Sequence, residues 1–210
     1  MSLDLGKLTA LERDALKEVA NIGAAHAATA LSQIVEKKIL ISVSDVNLCP
    51  VEELLALLGG ANRQGIAVHL KVLGDAVGNI TLVLMNDDAL RLVDILKGQT
   101  PGFSTTLSEI DYSGLKETGS ILGAAYLRAI GQFTKLSLIP SVPDLSQGEL
   151  LTILSAVSGL AKRAEVALCL RTEFLESNYR ISGNFVLIPD LKSLEALVGA
   201  LHALANGGSI

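Results

Sequence analysis

The chain carries the same short sequence twice, with one chemical change. Residues 18–23 read Glu-Val-Ala-Asn-Ile-Gly and residues 117–122 read Glu-Thr-Gly-Ser-Ile-Leu, so that the two glutamates lie 99 residues apart. The same spacing relates Ser-Val-Ser-Asp at residues 42–45 to Ser-Val-Pro-Asp at residues 141–144. A repeat of this length indicates one structural unit duplicated within a domain, rather than a solenoid of short units.

The chemical change lies at the polar residue that follows each glutamate by three positions. Asn21 stands there in the first copy and Ser120 in the second. Two copies of a polar pair, one of them altered, predict two sites of which the second is degenerate.

Composition excludes several classes of protein. Half of the 210 residues are hydrophobic but only 3% are aromatic, which predicts a core of Leu, Ile, Val and Ala. A net charge of −5 argues against nucleic acid, since neutralising phosphates takes clustered Lys and Arg. The uncharged stretch from Val19 to Val35 is too polar and too short for a membrane helix. With no signal peptide visible, we expect a cytoplasmic protein, with Cys49 and Cys169 acting as small apolar residues.

The sequence shows none of the common catalytic signatures. His26, His69 and His202 have no acidic or thiol neighbours at the spacing of metal ligands. A Ser-His-Asp order, a phosphate-binding loop and a dinucleotide fingerprint are also missing. The sequence therefore predicts neither a metal nor a cofactor held by this chain itself.

The periodicity predicts an α/β (α+β) fold. Thr9 caps a helix that runs to about residue 35, with Glu12 completing a capping box, and Ser108 begins a matching helix to about residue 132. Alternating apolar residues after each helix favour antiparallel strands with one face covered. We expect one domain over residues 1–210, made of two repeats at about 8–97 and 107–205 that are related by a pseudo-two-fold axis. The predicted architecture has two layers, with two long helices on an antiparallel sheet of about six strands. The predicted strands are 38–48, 65–73, 77–85, 135–141, 164–172 and 178–188, and the shorter helices are 51–58, 87–97, 147–160 and 190–205.

Each long helix places a line of polar and small residues on one face, because residues three and four apart are neighbours there. The two lines are Asp14, Glu18, Asn21 and Ala25, and Ser113, Glu117, Ser120 and Ala124. An amide can hold a water molecule, and a carboxylate can pair with a cation on the substrate. Without a nucleophile or a metal, such a pair suits a substrate that is already activated, such as an acyl phosphate. The residue types alone leave open that these pairs are ordinary surface or helix-packing residues.

The pattern Asp14-x-x-x-Glu18-x-x-Asn21-Ile22-Gly23, followed by Ala-Ala-Thr-Ala-Leu-Ser at residues 27–32, resembles the signature helix of the CheC family of chemotaxis phosphatases, in the CheC/CheX/FliY superfamily. The resemblance covers residues 8–205. It implies hydrolysis of the aspartyl phosphate on a CheY-type response regulator, with Mg²⁺ belonging to the regulator. By this resemblance Asn21 positions the attacking water, Glu18 pairs with the regulator's active-site lysine, and Asp14 helps to dock the helix.

The resemblance also ranks the two copies and leaves other functions open. Glu117 and the docking position Ser113 remain in the second copy, but Ser120 replaces the expected asparagine. In the first copy Ala25 and His26 stand where glycine and asparagine are usual, which leaves the catalytic pair intact.

Two alternatives to a phosphatase stay open. The chain could be an adaptor that binds the receptor deamidase CheD, or a protein that sequesters the regulator with little catalysis.

Overall fold

The chain folds into long helices and antiparallel strands close to the positions that its periodicity predicts. The computed structural model describes the backbone of residues 9–160 and 166–205, and the side chains of residues 9–156 and 166–199. The elements, in chain order, are α1 (Ala10–Val35), β1 (Ile39–Pro50), a 3-10 turn (Val51–Glu53), α2 (Leu54–Leu57), β2 (Gln64–Gly74), β3 (Gly78–Met85), α3 (Asn86–Leu96), α4 (Glu109–Thr134), β4 (Leu138–Pro140), β5 (Asp144–Glu149), α5 (Leu150–Leu160), β6 (Val166–Glu176), β7 (Tyr179–Pro189) and α6 (Leu191–Ala205).

Both long helices begin at the caps that the sequence predicts. The Thr9 hydroxyl accepts a hydrogen bond from the Glu12 N–H, and the Glu12 carboxylate accepts one from the Thr9 N–H at 2.8 Å. Ser108 and Asp111 form the same reciprocal box at the start of α4. Each box satisfies backbone donors that the first turn of a helix leaves free. The two helices have the same length, 26 residues each.

All the strands join one antiparallel sheet, in the order β1-β6-β7-β3-β2-β4, with β5 pairing β2 beside β4. Since β4 and β5 follow each other along one edge of β2, the sheet formed by the described residues has six strand positions, and the predicted fold class is confirmed. A two-fold axis between β3 and β7 would produce this strand order, because it would exchange β3 with β7, β2 with β6, and β1 with β4. The division into repeats 8–97 and 107–205 stays a prediction. Leu8, where the first repeat is predicted to begin, and residues 164–165, where the strand 164–172 is predicted to begin, lie outside the described residues.

The prediction for the second half was wrong over residues 144–149. The sequence predicts a loop and the start of a helix there, but these residues form β5, which pairs with β2 from Gln64 to His69. Pairing with a neighbouring strand overrides the weak local preference of Asp-Leu-Ser-Gln-Gly-Glu. The helix α5 consequently starts at Leu150, three residues later than predicted.

The main core lies between one face of the sheet and helices α1, α3 and α4. Its largest buried aromatic pair is Tyr126 and Phe185, whose ring centroids lie 4.7 Å apart. A smaller apolar cluster on the opposite face lies beneath α2 and α5. Within the main core, α1 approaches α4 closely at Gly23, where an added Cβ would meet Tyr126 at 3.0–3.1 Å. This contact buries one face of α1 and leaves the opposite face exposed.

The segment that joins the two halves is held by Asp94, a buried residue of α3. Its carboxylate accepts hydrogen bonds from the backbone N–H groups of Gly102, Phe103 and Ser104 at 2.8, 2.9 and 3.1 Å. Burial acts to raise the pKa of Asp94, but these hydrogen bonds outweigh it and hold the pKa below its usual value. The ionised carboxylate therefore stabilises the fold above the pKa of the unfolded chain, and this contribution is lost as pH falls through the lower folded pKa.

We expect Asp94→Asn to lower the free energy of unfolding by about 2 kcal/mol at pH 7, because an amide oxygen replaces a charged acceptor of three N–H groups. Urea unfolding measures this change, and the difference from wild type should shrink as pH falls below about 4. The control is Asp87→Asn, at an exposed position of the same helix, where the loss should stay under about 1 kcal/mol. Equal losses in the two variants would contradict the role of Asp94.

Candidate functional site

The predicted polar line lies on the exposed face of α1. Asp14 and Glu18 are exposed, while Leu16, Val19 and Ala20 on the opposite face are buried in the main core. Within the described part of the chain, the Glu18 carboxylate forms neither a hydrogen bond nor an ion pair. Glu18 is therefore open to a cation on another molecule.

Asn21 is half-buried and links α1 to the outermost strand of the sheet. Its Oδ1 accepts a hydrogen bond from the Val43 N–H at 2.9 Å, and its Nδ2 donates to the Lys17 carbonyl at 2.9 Å. A longer contact of 3.5 Å joins Nδ2 to the Val43 carbonyl. The sequence predicts the strand 38–48 and places Asn21 on an exposed line, but it does not predict the contact between them. The signal that could have found it is Ser-Val-X-Asp, which follows each signature helix at the same interval.

The strand β1 is irregular where it meets Asn21. It pairs with β6 on one side only, and its register shifts between Val43 and Asp45, so that Ser44 forms a bulge. The Lys17 ammonium donates to the Ser44 carbonyl at 2.8 Å, next to the Asn21 contact. The bulge and these two side chains fix the amide relative to Glu18, which lies one turn away on the helix.

The geometry limits what the Asn21 amide can offer. An amide has two N–H donors and two acceptor lone pairs. In Asn21 one N–H and one lone pair are committed at 2.9 Å, while the 3.5 Å contact to the Val43 carbonyl is long and weak. Within the described residues, one lone pair of Oδ1 and one N–H of Nδ2 are therefore left without a short hydrogen bond.

The neighbouring Asp45 adds negative charge to this end of the molecule. The Asn47 side chain donates to it at 2.9 Å and the Val46 N–H at 2.9 Å. The hydrogen bond from Asn47 has the largest effect on the pKa of Asp45, and the net result is a pKa below the usual value. Arg13 and Arg171 also lower the pKa of Asp45, and Lys17 lies at the adjacent Ser44, so that charges of both signs surround this part of the surface.

The second copy keeps the side-chain line but not its surroundings. Ser113 and Glu117 are exposed on α4, Ser120 is half-buried, and the Ser113 hydroxyl donates to the Glu109 carbonyl at 3.1 Å. Val142, which the sequence repeat matches to Val43, lies between β4 and β5 and is 86% exposed, whereas Val43 is 2% exposed. The second copy thus lacks both the amide and a strand that would hold it.

Glu117 also has a different environment from Glu18. It lines a cavity of about 210 Å³ between α1, α3 and α4, whose wall includes Leu96 and Ile121. Lys97 and Asp111 form an ion pair of 3.2 Å in the same wall. The two glutamates therefore occupy equivalent sequence positions and are both exposed, but they have different neighbours.

No group of three or more His, Cys, Asp or Glu side chains within residues 9–156 and 166–199 is placed to hold a metal ion. None of the helices in the described part of the chain is long and apolar enough to cross a membrane.

Comparison with known proteins identifies the family. A model of the CheC-like family matches residues 11–47, which contain the Glu18–Asn21 pair and its contact at Val43. The chain is 31% identical over 197 residues to the CheY-P phosphatase CheC of Bacillus subtilis, covering 91% of this chain and 94% of that protein. The fold is similar to the crystal structure of Thermotoga maritima FliY, with a TM-score of 0.77 at 18% identity, covering 93% of this chain and 98% of the other. It is also similar to the structure of a CheX–CheY–BeF₃–Mg²⁺ complex from Borrelia burgdorferi, with a TM-score of 0.51 at 14% identity, covering 80% and 96% of the two chains. The chain belongs to the CheC-like family.

Proposed function

We propose that this protein is a phosphatase that hydrolyses the aspartyl phosphate of a phosphorylated CheY-type response regulator. The observation that carries the proposal is the exposed Glu18, without a partner among the described residues, one turn from the strand-anchored Asn21 on the helix that the family model matches. The relative with 31% identity over nearly the whole chain is a CheY-P phosphatase, which supports the same reaction.

In the proposed mechanism the helix α1 enters the regulator's active site and brings a water molecule into line with the phosphorus–oxygen bond. The water oxygen attacks phosphorus, the bond from phosphorus to the aspartate oxygen breaks, and the products are inorganic phosphate and a free aspartate. Asn21 orients the water through the open lone pair of Oδ1 and the weakly held hydrogen of Nδ2. Such positioning supplies much of the rate for a reaction whose leaving group is already good.

The other residues of the line hold the complex together. Glu18 pairs with the regulator's active-site lysine, and this charge-assisted bond fixes the angle at which the helix enters. Asp14, one turn earlier, contributes to docking. The Mg²⁺ belongs to the substrate regulator, so that the phosphatase needs no metal of its own. We place the protein in the cytoplasm, because its proposed substrate is a cytoplasmic signalling protein.

The direct test is to add the purified protein to a phosphorylated regulator and to follow the loss of the phosphoryl group and the release of phosphate. We expect faster loss than from the regulator alone. A protein that only sequesters the regulator would bind it without this acceleration, and that outcome would contradict the proposal. Binding to CheD stays a prediction of the family resemblance.

We expect Glu18→Gln to lower kcat/KM about tenfold at low salt, because an amide cannot form the ion pair that attracts and orients the regulator. The loss should shrink as ionic strength rises, since salt screens the charge that wild type retains. Steady-state rates at two salt concentrations measure this effect. Glu36→Gln, at an exposed position beyond the end of the same helix, is the matched control and should behave as wild type. An unchanged rate for Glu18→Gln at low salt would remove Glu18 from the site.

A further inference from the structure

Lys17 contacts the surroundings of Asn21 through both its backbone and its side chain. Its carbonyl accepts a hydrogen bond of 2.9 Å from the Asn21 Nδ2, and its ammonium donates to the Ser44 carbonyl at 2.8 Å. The Asn21 Oδ1 in turn accepts from the N–H of Val43, the residue before Ser44. These contacts form a closed ring from α1 to β1 and back. The ammonium is its charged member, so the bond to Ser44 is charge-assisted.

The strand is irregular at the point where Lys17 holds it. Buried and exposed residues alternate from Ile39 to Val43, but the next buried residue is Val46, because the bulge changes which face of the strand is buried. Ser44 has no paired residue in β6, and the other edge of β1 faces α1. The Lys17 ammonium therefore fastens the one segment of β1 that the ladder to β6 does not fix.

The backbone at Val43 decides how the Asn21 amide is oriented. The amide meets this residue twice, with Oδ1 at 2.9 Å from the N–H and Nδ2 at 3.5 Å from the carbonyl. A shift of the strand would turn the amide with it and move the proposed water out of line with the phosphorus–oxygen bond. Misplacement by about 1 Å can cost up to about a hundredfold in rate.

The second copy keeps the lysine but not the ring. Lys116 follows Lys17 by 99 residues and is half-buried on α4, as Lys17 is on α1. Within the described residues its ammonium forms neither a hydrogen bond nor an ion pair, and Pro143, between β4 and β5, stands at the position of Ser44. The two lysines therefore differ in whether they reach a strand, which makes Lys116 a matched control for Lys17.

We propose that Lys17 is a positioning residue for the hydrolysis and acts by fixing the strand against which the Asn21 amide is held. This inference rests on the proposed function. In this mechanism Lys17 touches neither the water nor the phosphoryl group. Its removal should therefore slow the chemical step and leave the affinity for the regulator unchanged.

The first test is Lys17→Met, which removes the ammonium and keeps an unbranched side chain that suits a helix. We expect kcat in single-turnover dephosphorylation, per folded molecule, to fall about tenfold. Kd for the regulator bound to beryllofluoride and Mg²⁺ should stay within about twofold of wild type, because the contacts of Glu18 are kept. Lys17→Arg keeps a cationic donor and should restore most of kcat, and Lys116→Met should change neither quantity. A higher Kd with unchanged kcat in Lys17→Met would contradict the proposal.

Two further measurements separate positioning from a merely structural role. In the Asn21→Ala background, Lys17→Met should change kcat by less than about twofold, because the amide that Lys17 positions is already gone. Hydrogen exchange of the Val43 N–H should be about tenfold faster in Lys17→Met than in wild type and near wild type in Lys17→Arg. A full tenfold loss of kcat in the Asn21→Ala background would show that Lys17 acts without Asn21, and the proposal would be wrong.

The exchange measurement needs no activity, so it distinguishes this proposal from the proposed function. If wild type accelerates hydrolysis while Lys17→Met retains its kcat or its slow exchange at Val43, the positioning role is wrong and the proposed function stands. If wild type binds the regulator without accelerating hydrolysis, while Lys17→Met still speeds exchange at Val43, the proposed function is wrong and Lys17 stands as the residue that fixes Asn21.

Discussion

Asn21→Ala is expected to lower kcat for hydrolysis of the phosphorylated regulator at least ten- to a hundredfold. A methyl group cannot hold the water that the amide is proposed to orient. Losing this interaction should raise the activation free energy of hydrolysis by at least about 1.4–2.8 kcal/mol. Single-turnover dephosphorylation at saturating protein measures the chemical step apart from binding. A wild-type rate in this variant would show that Asn21 is not the water-positioning residue.

The structure adds a second effect of this substitution that must be separated from the first. Asn21 satisfies the Val43 N–H at the outer edge of the sheet, so Asn21→Ala should also lower the free energy of unfolding, by about 1–3 kcal/mol. Asn21→Asp keeps an acceptor for the Val43 N–H, but its second carboxylate oxygen would face the Lys17 carbonyl, which accepts from Nδ2 at 2.9 Å in wild type, so we expect this variant to lose stability as well as activity. The two effects are separated by expressing the rate per folded molecule, with the folded fraction taken from urea unfolding.

Much of the fold followed from local patterns in the sequence. The caps at Thr9 and Ser108 fixed the starts of the long helices, because Ser or Thr followed by an acidic residue three positions later satisfies the first turn by local bonds alone. Strands with clean alternation, such as residues 65–73, were also predicted within about a residue of β2. These signals depend only on neighbours in the chain.

What the sequence could not supply were interactions between distant segments. Residues 144–149 are polar and contain Gly148, and only their pairing with β2 makes them a strand. The bond from Asn21 to Val43 joins residues 22 positions apart and depends on a bulge at Ser44 that no local pattern marks. The site was therefore predicted as a line of side chains on a helix and the strand 38–48 as a separate element, and the repeated Ser-Val-X-Asp is the one sequence signal for the contact that joins them.

The two copies are expected to contribute unequally to activity. Glu117→Ala and Ser120→Ala should each lower the rate by less than twofold, far less than Asn21→Ala. The first reason is that a serine hydroxyl cannot reproduce an amide's paired donor and acceptor. The second is that Val142, 86% exposed between β4 and β5, does not offer the buried backbone groups that Val43 presents to Asn21.

Ser120→Asn separates these two reasons. If only the side chain were missing, restoring the amide would recruit the second helix and raise activity up to about twofold, because two sites would then work. Since the supporting strand is also interrupted, we expect a much smaller gain. The measurement is the rate of dephosphorylation by Ser120→Asn in the wild-type background and in a Glu18→Gln, Asn21→Ala double variant. That double variant should be nearly inactive. If it keeps half or more of the wild-type activity, the second helix is a working site and the ranking of the two copies by the amide and its strand is wrong.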